Sequence, residues 1–143
     1  EKTDLLAHSA ERMFELVDRC EDYPAFLPWC NRTELKSRDA TKTVATLFIN
    51  YHAVKSSFTT ENDKEFPRVM HIRLIDGPFR HLEGAWHFRP LAEHACKIEF
   101  RLHYEFSSKL FEKVIGPVFS HIANTFVDAF VRRAAQVYGA KHG

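Results

Sequence analysis

The side chains with the clearest potential for chemistry in this sequence are its nine histidines. His71, His87 and His103 lie on the polar parity of three successive predicted strands, so they could cluster on the outer face of one sheet. Imidazole is a common zinc ligand, but no Cys or carboxylate lies at a ligand-like spacing from these three residues. The pattern therefore favours a solvated sheet surface, and we expect no metal.

Acid–base catalysis would need other side chains. Tyr104 and Asp76 could exchange protons in a pocket, but nothing in the sequence pairs either of them with a base. The sequence also contains no nucleophile elbow, P-loop, dinucleotide fingerprint or HExxH motif. We therefore expect no catalytic residue and no enzyme, with a cyclase or dehydratase as the minority interpretation.

Composition narrows the class of protein further. The 143 residues fit a single domain spanning 1–143, and the formal net charge of +1 argues against a dedicated DNA-binding protein. Cys20, Cys30 and Cys96 are odd in number and form no CxxC pair, which indicates reduced thiols in a cytoplasmic protein. We find no apolar run that approaches the roughly 18 residues of a membrane span.

The elements that must position these side chains begin with a strand and two short helices. Residues 2–7 are predicted as the opening strand, and Ser9 as the N-cap of a helix over residues 10–19. Tyr23-Pro24 is expected to interrupt that helix, because the residue before a proline avoids the α region. A short second helical turn is predicted over residues 25–28.

Antiparallel strands are predicted to follow. Residues 96–106 alternate apolar and polar side chains without a break, as a strand with one buried and one solvated face does. Further strands are predicted over residues 31–38, 43–51, 55–61, 70–74 and 82–88. Asp76-Gly77-Pro78 and residues 92–94 have turn composition, which favours meander connections.

A long helix is predicted at the end of the chain, from Lys109 to Tyr138, because large apolar side chains recur there at spacings of three and four. Gly116-Pro117 is expected to kink or break this helix, and Gly139 to cap it. This order of elements predicts an α+β helix-grip fold of the START/Bet v 1-like type. In it, a curved antiparallel sheet of about six or seven strands surrounds the C-terminal helix, with two short helices after the first strand.

The candidate site is the space between the inner face of that sheet and the helix. Thirteen phenylalanines give a curved interior that one helix does not fill, so an apolar ligand could occupy the remainder. Trp29 is either a buried anchor or a gate, and Phe79 either core or the cavity mouth. The predicted ligand-binding residues are Phe26, Trp29, Phe58, Phe79, Trp86, Phe88, Phe100, Tyr104, Phe119, Ile122, Phe126 and Phe130.

Four segments of the sequence resemble the RatA and coenzyme-Q-binding protein family of the START-like, polyketide-cyclase-like superfamily. They are residues 23–30 (YPAFLPWC), 58–62 (FTTEN), 74–88 (LIDGPFRHLEGAWHF) and 127–134 (VDAFVRRA). The resemblance covers nearly the whole chain. Two positions depart from the family pattern, since residues 50–53 (NYHA) replace a glycine-rich stretch and Glu61 replaces a frequent arginine.

The resemblance implies a non-catalytic protein that binds a hydrophobic, lipid-like molecule, with ubiquinone as the expected ligand in support of respiration and no other cofactor. The alternative that it implies is a toxin that binds the large (50S) ribosomal subunit and blocks subunit joining; a polyketide or oligoketide cyclase is a weaker alternative. For RNA contact, the sequence offers modest basic groups at Arg132-Arg133 with Lys141, and at Arg80-His81. The expected location is the cytoplasm, with transient contact at the surface of the inner membrane.

Overall fold

A seven-stranded antiparallel sheet and a long helix dominate the computed structural model, which describes residues 2–139. The helices are α1 (Ala10–Asp18), a 3₁₀ helix (Cys20–Ala25) and α2 (Lys109–Tyr138). The strands are β1 (Lys2–Leu6), β2 (Cys30–Arg38), β3 (Lys42–Tyr51), β4 (Val54–Glu65), β5 (Val69–Asp76), β6 (Phe79–Ala92) and β7 (Ala95–Phe106). The predicted α+β helix-grip fold is confirmed.

The strands follow the order β1-β7-β6-β5-β4-β3-β2. β2 to β7 form the predicted meander, and β1 joins the free edge of β7, with Lys2 opposite Phe100 and Leu6 opposite Cys96. The two short helices connect β1 to β2, which form opposite edges of the sheet. This connection lets α1 and α2 cover the same concave face.

The interruption after α1 lies earlier than the sequence predicted. Ser9 caps the helix as expected, its Oγ accepting from the backbone N–H of Arg12 (3.1 Å). The chain leaves the helical region at Arg19, and Tyr23-Pro24 then lies inside the 3₁₀ helix rather than between two helices. The prediction was wrong because proline's fixed φ suits a short 3₁₀ turn, so Pro24 does not end it.

The predicted break of α2 at Gly116-Pro117 is also wrong, since the helix runs without interruption through both residues. Pro117 lies on the exposed side of α2, where water can bond the carbonyl group that proline leaves without a donor. Gly116 has no Cβ to clash with the proline ring, so it can stay helical. A bend without interruption remains a prediction, whereas Gly139 caps the helix as expected, its N–H donating to the Ala135 carbonyl (3.0 Å).

By length and composition, α2 is a candidate for crossing a membrane, with a mean hydropathy of 1.3 over its most apolar window. The sequence predicts no membrane span because it contains no unbroken apolar run of that length, whereas the mean hydropathy over a window tolerates scattered polar residues. About 33% of that window is buried inside the structure. The core helix of a soluble protein can meet the same criterion of length and hydropathy.

Candidate functional site

A cavity of about 70 Å³ lies between the concave face of the sheet, α2 and the segment that follows α1. Its wall is almost entirely apolar. It is lined by Val17, Cys20, Tyr23, Trp29, Thr43, Ala45, Leu47, Phe58, Thr60, Asn62, Ile72, Leu82, Trp86, Phe100, Leu102, Phe119, Ile122, Ala123 and Phe126. One water occupies about 10–15 Å³ by this measure, so the cavity has room for only a few waters.

Seven of the twelve predicted ligand-binding residues line this cavity. They are Trp29, Phe58, Trp86, Phe100, Phe119, Ile122 and Phe126. The aromatic part of the wall is continuous, because the Trp86 ring lies 4.6 Å from that of Phe100 and 5.7 Å from that of Phe126. Trp29 is buried and its ring lies 6.2 Å from Phe126, so it forms the wall on the side of the 3₁₀ helix.

The other five predicted residues do not line this cavity, and three of them, Phe26, Phe88 and Phe130, lie behind its wall as a second layer. Phe130 packs between the rings of Tyr23 and Phe26, at 5.4 and 5.2 Å, and Phe88 stacks on Trp86 at 5.8 Å. Their strand and helix parity was correct, but parity does not distinguish a residue that touches a cavity from one that supports its wall.

Phe79 and Tyr104 lie toward the N-terminal end of α2. The Phe79 ring is 4.9 Å from that of Phe119 and 6.2 Å from that of Tyr104. Tyr104 lines a surface groove with Arg80, and burial raises the pKa of its phenol. The structure therefore separates Tyr104 from the cavity, so Tyr104 does not supply the polar group of the cavity wall.

That polar group lies on β4, in which Phe58 is the one residue predicted from the sequence to bind ligand. The concave row of β4 continues from Phe58 through Thr60, Asn62 and Lys64, and changes from aromatic to charged along the strand. Thr60 Oγ1 donates to Asn62 Oδ1 (3.3 Å), and Asn62 Nδ2 donates to the Met70 sulfur (3.7 Å). A thioether is a weak acceptor, so the Asn62 amide can still donate a stronger hydrogen bond to a ligand oxygen.

A cluster of charges closes the structure beyond this row. Lys64 has a side chain only 5% exposed, and its Nζ lies 3.1 Å from Asp18 Oδ2. Thr43 Oγ1 donates to the other oxygen of Asp18 (2.9 Å), and Arg38 donates to Glu21 (2.7 Å) and to the Asp18 carbonyl. The cluster ties α1 and the 3₁₀ helix to β2, β3 and β4, and so fixes one wall of the cavity.

The missed residues had a signal in the sequence. Extending the alternation of β4 past Glu61, where the predicted strand ended, places Thr60, Asn62 and Lys64 on one face with Phe58. Cys20 and Tyr23 had no such signal, because their orientation depends on the 3₁₀ helix. Burial raises the pKa of the Cys20 thiol to about 11, so this side chain adds no charge to the cavity at neutral pH.

The histidines of the outer sheet face form two separate pairs. The rings of His71 and His87 are 6.4 Å apart, and those of His81 and His103 are 5.2 Å apart. His81 Nε2 also lies 3.1 Å from Glu83 Oε1. Within residues 2–139, no group of three or more His, Cys, Asp or Glu side chains has a geometry that could hold a metal ion.

An aromatic-walled cavity inside a helix-grip fold is the architecture of a large family, and comparison with known proteins identifies it. The profile of the polyketide cyclase/dehydrase and lipid transport family matches residues 6–131. The chain belongs to this family. Two solved structures share the fold, a START superfamily protein from Mycobacterium smegmatis (TM-score 0.73, 20% identity, 95% of this chain and 96% of that one) and the Zhui aromatase/cyclase from Streptomyces (TM-score 0.79, 15% identity, 99% and 96%).

Two kinds of relative are similar over nearly the whole chain. The ribosome association toxin RatA of Vibrio cholerae is 41% identical, over 96% of both chains. The mitochondrial coenzyme Q-binding protein COQ10 homolog B of Xenopus laevis is 28% identical, over 96% of this chain and 58% of its own length. The resemblance inferred from the four segments is thereby confirmed.

Proposed function

We propose that this protein is a non-catalytic binding protein for an apolar, ring-bearing small molecule, and that ubiquinone is its ligand. The observation that carries the proposal is the cavity itself, an aromatic wall with one polar row. Flat rings of Trp86, Phe100 and Phe126 suit a flat ligand ring. A relative named for coenzyme Q binding supports the choice of ligand.

The polar row gives such a ligand an orientation. A quinone carbonyl accepts hydrogen bonds but donates none, so it needs a donor in the wall. Asn62 Nδ2 is that donor, because its present acceptor is the weak Met70 sulfur. Burial of the ring would supply most of the affinity, at roughly 25 cal/mol per Å² of apolar surface.

Ligand entry requires the walls to move apart, because a cavity of about 70 Å³ is smaller than a substituted ring and its tail need. Apart from Val17 of α1, the part of the wall outside the sheet and α2 is formed by the 3₁₀ helix and the turn after it. They contribute Cys20, Tyr23 and Trp29 to the lining. We expect the turn after the 3₁₀ helix, which lies outside the charge cluster, to shift when ligand binds, and Trp29 to report the shift.

The test is a titration with a short-chain ubiquinone, followed by quenching of tryptophan fluorescence. Trp29 and Trp86 are the two tryptophans of the chain, and both line the cavity. We expect saturable quenching and a higher melting temperature, since a ligand that binds only the folded state stabilises it. Absence of both effects in the wild type would contradict the proposal.

Two variants locate the binding. Ala123→Leu adds a bulky group to the lining and should weaken binding at least about tenfold, whereas Ser120→Leu adds the same group to the exposed side of α2 and should not. Asn62→Leu should weaken binding about tenfold, the equivalent of one hydrogen bond of about 1.4 kcal/mol. Equal affinity in Ala123→Leu and wild type would place the quinone elsewhere.

A second candidate function is association with the ribosome, favoured by 41% identity to a protein named as a ribosome association toxin. The basic groups available for RNA are limited, since Arg80 pairs with Glu105 (2.8 Å) and Lys141 lies outside the described residues. Arg132 is exposed, and the Arg133 guanidinium lies over the Phe26 ring (5.1 Å). With either function, we expect the protein in the cytoplasm.

Sedimentation of ribosomal subunits with added protein tests this second candidate. Comigration with the large subunit and a loss of 70S particles would support it, and unchanged profiles would contradict it. Ala123→Leu separates the two functions, because it should weaken quinone binding at least about tenfold and leave any ribosome association unchanged.

A further inference from the structure

The first six residues of α2, Lys109 to Val114, are all exposed, and three of them are large and apolar. Leu110 is 66% exposed, Phe111 40% and Val114 51%. Ile115 is the first residue of the helix to be buried. The helix therefore projects beyond the sheet for more than one turn, and we call Lys109–Val114 the projecting turn.

The side chains of the projecting turn are segregated around the helix axis. At about 100° per residue, Leu110, Val114 and Phe111 span an arc of roughly 100°. Lys109 and Lys113 flank this arc on one side, and Glu112 lies on the opposite side of the helix. The projecting turn is thus amphipathic although none of it faces the core.

The apolar arc continues along α2 beyond the projecting turn. Pro117 is exposed about two turns after Leu110, and His121 follows on the same side. The His121 ring stacks on Tyr51 with centroids 5.6 Å apart and planes 9° apart. This contact brings the tip of the β3–β4 hairpin beside the same face.

The charges around the arc indicate what covers it. Neither Lys109 nor Lys113 pairs with a carboxylate in the part of the chain that the structure describes. An apolar arc with unpaired lysines along one side matches the boundary of a bilayer, where acyl chains lie just below anionic phosphate groups. A bilayer also needs no preformed pocket to accept the convex end of a helix.

We propose that the projecting turn docks the protein on a lipid bilayer that contains anionic headgroups. Leu110, Phe111 and Val114 enter the boundary between headgroups and acyl chains, and the two lysines contact phosphates. Val114 precedes Phe119 of the cavity wall by five residues, or roughly 7.5 Å along the helix axis. Docking is independent of quinone binding, and it would set the cavity close to the phase in which apolar ligands dissolve.

Flotation with vesicles tests the proposal, using the ligand-free protein. We expect the wild type to float with vesicles of phosphatidylcholine mixed with phosphatidylglycerol, and less with phosphatidylcholine alone. The double variant Leu110→Ser with Val114→Ser should bind at least about tenfold more weakly, because it removes two apolar groups from the boundary. Leu91→Ser is the matched control, since Leu91 is 58% exposed and lies at the end of β6 that is far from the projecting turn.

A charge variant, Lys109→Gln with Lys113→Gln, should lose the preference for anionic vesicles while it retains the weaker binding to neutral ones. Circular dichroism should show that every variant is folded, since the replaced side chains make no core contacts. The proposal fails if the wild type does not float, or if the double variant floats like Leu91→Ser. It also fails if sedimentation shows a wild-type dimer that the double variant abolishes, because a second copy would then cover the surface.

Discussion

The projecting turn and the later turns of α2 are similar in apolar content but differ in what covers them. From Val118 onward, one side of the helix is buried against aromatic side chains of the sheet, with Phe119 2% and Phe130 0% exposed. In the projecting turn no side chain is buried. The periodicity that predicts a helix is the same in both parts, so it does not reveal which part the sheet reaches.

The end of the sheet explains the difference. Phe79 and Phe106 form the last paired position of β6 and β7, and the chain turns there, where the Ser107 N–H donates to the Pro78 carbonyl (3.0 Å). α2 begins two residues later, beyond that edge. The first turn therefore has no strand beneath it.

The largest expected effect is on the free energy of unfolding, and it distinguishes the two parts of the helix. Phe130→Ala should lower the free energy of unfolding by about 3–5 kcal/mol, because the ring is fully buried against Tyr23, Phe26, Trp86 and Phe126. Phe111→Ala in the projecting turn should change it by less than about 0.5 kcal/mol. Urea denaturation measures both, and similar losses in the two variants would show that the first turn is packed.

A smaller effect on stability should come from weakening the ion pair that holds the 3₁₀ helix over the buried part of α2. The hydrogen bond from Arg38 lowers the pKa of Glu21 to about 2, from an ordinary value of 4.5. Because the folded-state pKa is depressed, this stabilisation is present above pH 4.5 and is lost as the pH falls toward 2. Glu21→Gln should therefore cost on the order of 1 kcal/mol at pH 7, since the carboxylate is partly exposed, and should flatten the acid limb of stability against pH.

Thermal unfolding at a series of pH values measures that slope. Glu93→Gln, in the exposed β6–β7 connection, is the control and should keep the wild-type slope. If thermal stability falls as steeply with decreasing pH in Glu21→Gln as in the wild type, the Arg38–Glu21 pair is not the cause of that fall.

The sequence predicted the fold and most of the aromatic part of the cavity wall, because both follow largely from periodicity. Trp86 and Phe100 alternate in step with the other core residues of their strands, and Phe126 lies on the apolar stripe of α2. This spacing determines that all three face inward. Asn62 was missed because the predicted strand ended at Glu61, and Thr60 was passed over inside that strand although it shares the face of Phe58. Tyr104 was included because its parity is right although it lies past the cavity. The size of a cavity depends on how far the walls approach one another, which no pattern in one element encodes.

The junction of the two parts gives the smallest and most specific prediction. α2 continues through Pro117, and we attribute this to Gly116, which has no Cβ to meet the proline ring. A Cβ at Gly116 would otherwise have space, since its nearest contact is Phe106 Cε2 at 3.8 Å. Gly116→Ala alone should therefore gain little stability, because the better helix propensity of alanine is offset by the clash with Pro117. In a Pro117→Ala background the same change should stabilise by about 0.5–1 kcal/mol. A double-mutant cycle by urea denaturation isolates this coupling, and additive effects would mean that another feature carries the helix through the proline.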